Sequence, residues 1–72
     1  MKIISGGTTG NEIFRDVLHN GERYRIAMIQ LSHKYRVWAM SISNNSGEVI
    51  FKARESHTNL NKMLKKAEEY IS

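Results

Sequence analysis

Three groups of residues in this 72-residue chain have types that could do chemistry, and each lacks something the chemistry needs. Glu55-Ser56-His57-Thr58 sets a base beside hydroxyls. Nucleophilic catalysis also requires a third group to orient the imidazole and donors for an oxyanion. The sequence supplies neither, so the segment reads as a helix-capping turn. Ser5-Gly6-Gly7-Thr8-Thr9-Gly10 has the glycines and hydroxyls of a phosphate loop but not the closing Gly-Lys-Ser/Thr. His19, His33 and His57 are too dispersed for the His-x-x-x-His spacing of a helical metal site, and there is no cysteine to complete one. No catalytic residue, metal ligand or cofactor is assigned, and the chain is not expected to be an enzyme. Asn44-Asn45-Ser46 fits a glycosylation acceptor, a pattern with meaning only in a secreted chain.

What remains is charge. Eleven Lys and Arg against seven Asp and Glu leave a net +4 and an isoelectric point near 9.7. The excess is localised. Lys2 and Arg15 balance Glu12 and Asp16 in the first part of the chain, and Lys62, Lys65 and Lys66 balance Glu55, Glu68 and Glu69 in the last. Between them, Arg23, Arg25, Lys34, Arg36, Lys52 and Arg54 face only Glu22 and Glu48. A surface with that balance attracts a polyanion.

The elements that must carry these cations read as strands. Glu22 to Leu31 puts Tyr24, Ile26 and Met28 on one face and Arg23, Arg25 and Ala27 on the other. Arg36 to Ser43 alternates Trp38, Met40 and Ile42 with Val37, Ala39, Ser41 and Ser43. Glu48 to Arg54 sends Val49, Phe51 and Ala53 inward, with Ile50, Lys52 and Arg54 outward. Asn44-Asn45-Ser46-Gly47 is a turn. Leu60, Met63, Leu64, Ala67 and Ile71 make one apolar stripe of a C-terminal helix, with Ser56, Thr58 or Asn59 as its cap.

Asn11 to His19 carries two patterns. Ile13, Phe14, Val17 and Leu18 have helical spacing, whereas Asn20-Gly21 is a strong two-residue hairpin signal that makes the segment a strand. The hairpin is preferred. It puts Ile13, Arg15 and Val17 on one face and Phe14, Asp16 and Leu18 on the other. Ser5 to Asn11 reads as a loop, preceded by a short strand at Lys2 to Ile4.

The expected fold is α+β: a three- to four-stranded antiparallel meander with a C-terminal helix on one face, ββββα, with αβββα as the alternative. Residues 1–11 form a flexible arm or short strand, and residues 12–72 a single domain. The absence of cysteine, of a signal-peptide core and of any membrane-length apolar run points to a cytoplasmic protein away from membranes. So small a chain without disulfide or metal gains buried surface most readily by association, so a homodimer is expected.

The order ββββα over residues 12–71 resembles the single-stranded-DNA-binding transcriptional coactivator fold, which implies a homodimer. The order αβββα resembles a double-stranded RNA-binding domain, whose lysine-rich patch at the start of the last helix would fall here on Asn59-Leu60-Asn61-Lys62. On either order the expectation is a basic nucleic-acid-binding protein, single-stranded or weakly sequence-specific. Arg23, Arg25, Lys52 and Arg54 would neutralise phosphates, aided by Lys34, Arg36 and a stacking Tyr35. The alternative is an inhibitor or adaptor of phage or mobile-element type that grips an acidic protein partner.

Overall fold

Two-residue turns join the first three strands of the sheet, and a longer turn joins the last two. In the computed structural model, which describes residues 1–32, 34, 37–56 and 60–72, the order is β1 (Lys2–Thr9), β2 (Glu12–His19), β3 (Glu22–Ser32), β4 (Val37–Ser43), β5 (Val49–Ser56) and α1 (Leu60–Ile71). The strands lie in chain order, each antiparallel to the next.

The Asn20-Gly21 turn has φ of 51° and 79° at its two central residues, the left-handed pair of a type I′ hairpin whose twist matches that of the strands it joins. His19 consequently faces Glu22, and every pair up to Glu12–Ile29 follows without a shift. Gly21→Ala should cost about 1–2 kcal/mol, because a Cβ is disfavoured at that φ even in open space. An unchanged urea midpoint would contradict this.

Residues 12–19 are thus a strand, and the helix alternative is overturned. The sheet has five strands rather than three or four, because β1 is a full strand where a loop was expected at Ser5–Asn11. Its turn-forming composition is a packing requirement instead. A Cβ on Gly6 would lie 2.9 Å from the Phe14 carbonyl oxygen and 2.7 Å from Arg15 Cδ, and one on Gly7 would lie 3.2 Å from the Phe14 ring. Only glycines let β1 lie this close against β2 (the aromatic ring covering the glycine of an edge strand).

One face of the sheet carries the core. Val17, Ile26, Met28, Met40 and Ile42 are buried beneath Met63 and Ala67 of α1, with Ile13, Trp38, Phe51, Ala53, Leu60, Leu64 and Ile71 packed around them. The Tyr70 ring stacks on Phe51 at 4.2 Å, and its hydroxyl donates to the Ile50 carbonyl at 3.0 Å, fastening the end of α1 to β5. A bulge after Ile42 changes one assignment. Phe51 pairs with Ile42 but Val49 pairs with Ser43, so Ile50 is the extra residue. Ile50 packs against the core and Val49 is exposed, the reverse of a strict alternation.

Ser56 is paired with Val37 inside β5, which removes it as the helix cap. The other cap candidates, Thr58 and Asn59, lie outside the described residues, as do His33 and His57. No helix among the described residues is long and apolar enough to cross a membrane.

Candidate nucleic-acid interface

Among the described residues no helix lies over the second face of the sheet. Register brings to it Ser5, Gly7, Phe14, Asp16, Arg23, Arg25, Ala27, Ile29, Ala39, Ser41, Ser43, Lys52 and Arg54. All four strand-borne cations expected on one face are therefore on one face. Lys34 is exposed and lies between β3 and β4. Tyr35 and Arg36, the expected stacking residue and its neighbour, lie outside the described residues.

The four cations are not equivalent. The pairing of Asp16 with Arg25 places a carboxylate in the middle of the basic face. Asp16 is 5% exposed, the one buried charged residue among those described. Arg25 holds it in a forked contact, Nε to Oδ1 at 2.8 Å and a terminal nitrogen to Oδ2 at 3.1 Å. The Ser5 hydroxyl donates to Oδ2 at 2.8 Å, and an Arg23 nitrogen stands 3.6 Å from the same oxygen. Arg25 also lies over the Phe14 ring, 4.6 Å from its centroid. One face of the ring is thereby covered by the guanidinium.

These donors fix the protonation of Asp16. The hydrogen bonds from Arg25, opposed by burial and helped by Ser5, lower its carboxyl pKa from 3.8 to about 2. A carboxyl depressed on folding stabilises the fold above its unfolded pKa and loses that contribution as pH falls through the folded one. With the arginines half exposed to solvent, the contribution is on the order of 1–2 kcal/mol, complete above about pH 5 and largely lost by about pH 2. Urea unfolding followed from pH 6 to pH 2 should show this loss in the native protein and a flatter profile in Asp16→Asn. Parallel profiles would contradict it.

Lys52 and Arg54 are different. Both are exposed on β5, and neither has a hydrogen-bond or ion-pair partner among the described residues. They alternate along the strand, so their Cα atoms are about 7 Å apart on the same side. Between them and β3 the face sinks into a depression of about 450 Å3 floored by Ala27, Ile29, Ala39 and Ser41. Small side chains on the two middle strands and long cations on the edge strand make a shallow apolar trough with one positive wall.

No family model, characterised protein or solved structure matches the chain. The open face itself is left to say what the molecule does. Sequence reasoning found its four arginine and lysine residues but missed Asp16, Phe14 and Ser5, which come from β1 and β2. The signal for Asp16 was present: a two-residue loop at Asn20-Gly21 counts outward to Asp16 opposite Arg25.

Proposed function

We propose that the chain is a non-enzymatic nucleic-acid-binding protein that holds a polyanion backbone on its uncovered sheet face, with weak sequence specificity. The observation that carries this reading is the pair of exposed cations Lys52 and Arg54, without partners among the described residues, along the wall of an apolar trough. Cations free of internal partners can release counterions from phosphates on binding, and the apolar floor can receive unstacked bases. Arg25, held by Asp16, contributes shape and a fixed charge rather than a free phosphate contact. The trough is open and shallow, which suits an extended single strand better than a small-molecule substrate.

The test is an anisotropy titration with labelled single- and double-stranded DNA and RNA at two salt concentrations. Affinity for single strands that falls with salt, with a logarithmic slope of about −0.7 per phosphate contacted, supports the reading. No binding at low salt overturns it and favours an acidic protein as the partner.

A further inference from the structure

The four arginine and lysine residues fall into two groups on the open face, and the proposed function uses only the pair on β5. The other pair builds a separate site. At the end of the face near the β4–β5 turn lies a depression of about 390 Å3 lined by Asp16, Arg23, Arg25, Ser43, Asn44 and Asn45. We infer that this depression is a binding site for a phosphate monoester, the terminal phosphate of a nucleic-acid strand or a free phosphate group, with Arg23 as its principal ligand.

Three observations carry the assignment. Arg25 spends its fork on buried Asp16, so the trio of Asp16, Arg23 and Arg25 keeps one net positive charge, and that charge is centred on Arg23. Arg23 is 54% exposed at its side chain and only 3.6 Å from Asp16, too far for a hydrogen bond, so its donors remain available for an anion. The Ser43 hydroxyl and the Asn45 amide line the same depression without partners among the described residues, adding neutral donors around the guanidinium. The opposite wall is rigid. Asn44 Oδ1 accepts from the Ser46 and Glu48 backbone amides at 3.0 Å each, while the Asn44 amide donates to Glu48 and the Gly47 amide to Asn44.

Position and charge select the ligand. The turn stands at the end of the sheet, where a strand lying on the trough would finish rather than pass through. A monoester offers more charge and more acceptor oxygens than an internal diester, and the planar guanidinium matches them in pairs. This inference rests on the proposed function only for the source of the phosphate, not for its chemistry.

The experiment has two arms. In the first, eight-residue oligothymidylates with a hydroxyl or a phosphate at either terminus, labelled at the other end, are titrated by anisotropy into the wild-type protein and Arg23→Gln. A terminal phosphate should strengthen binding about tenfold in the wild type. Arg23→Gln should erase that gain, so that it binds phosphorylated and unphosphorylated strands alike. In the second arm, inorganic phosphate is titrated alone while the Asn45 side-chain amide and the arginine Nε–H signals are followed by NMR. Shifts at these groups that vanish in Arg23→Gln assign a free phosphate group as ligand, whether or not any strand binds. A strand-terminal preference assigns the strand end. Equal affinities at both termini together with unmoved NMR signals overturn the site. Loss of all strand binding with the phosphate shifts intact overturns the proposed function and not this inference.

Discussion

Lys52→Glu combined with Arg54→Glu should reduce affinity for single-stranded nucleic acid at least about a hundredfold at low salt, since each lost contact is worth about tenfold and each new carboxylate repels. The residual salt dependence should be shallower by about 1.4 logarithmic units, the counterions of two phosphates no longer being released. Folding should hardly notice. Both side chains are exposed and make no contact with a charged partner among the described residues, so the unfolding free energy should change by less than about 0.5 kcal/mol. The necessary comparison is Lys62→Glu with Lys65→Glu on α1, which changes net charge equally on the opposite side of the molecule. If affinity followed net charge alone, the two double variants would bind alike. Binding at the open face requires the β5 variant to lose affinity and the α1 variant to keep most of it. Equal losses would mean that the open face is not the site.

The largest effect on stability should come from Ile26→Ala. Ile26 is fully buried in the middle strand, pairs with Arg15 and Ile42 across the sheet, and belongs to the cluster closed by Met63 and Ala67. Removing its outer carbons deletes transfer free energy and leaves a cavity, a cost of about 2–5 kcal/mol. A domain of this length holds about 4–10 kcal/mol in total, so the variant should be partly unfolded at room temperature or lose most of its urea midpoint. Among the described residues only seven apolar side chains make up the buried cluster, and no second layer covers the other face to share the loss. An unfolding free energy within about 1 kcal/mol of the wild type would show that the core has been misplaced. The variant also checks the binding account, because a partly unfolded chain should bind in proportion to its folded fraction.

Much of the sheet was readable because its alternation is strict. Tyr24, Ile26 and Met28, then Trp38, Met40 and Ile42, point one way over five residues each with no charge on that face, and the helical stripe from Leu60 to Ile71 has only one surface to cover. Of the first strand only its start, Lys2 to Ile4, was readable. Ser5, Gly6 and Gly7 have turn composition and no apolar alternation, and what holds them in a strand is the approach of β2, a tertiary effect that local propensity does not carry. Ile50 was misassigned because a bulge inserts one residue without any composition mark. The site was half readable for a related reason. Summing charge along the chain isolated the basic segment, but Asp16 belongs to a balanced segment in sequence and to the basic face in space. Charge counted by segment therefore overstated the free cations. Charge counted by face leaves Lys52 and Arg54 open, Arg25 committed, and Arg23 between the two.

The most direct test of the central claim is where a ligand lands on the two faces. Methyl NMR separates them cleanly: Ala27, Ile29 and Ala39 carry methyls on the open face, and Met63, Leu64, Ala67 and Ile71 carry them on the helix side. Titration with an eight-residue oligothymidylate at low salt should shift the first group progressively and leave the second in place. Shifts confined to the α1 methyls, or none in either group at saturating concentration, would contradict the account.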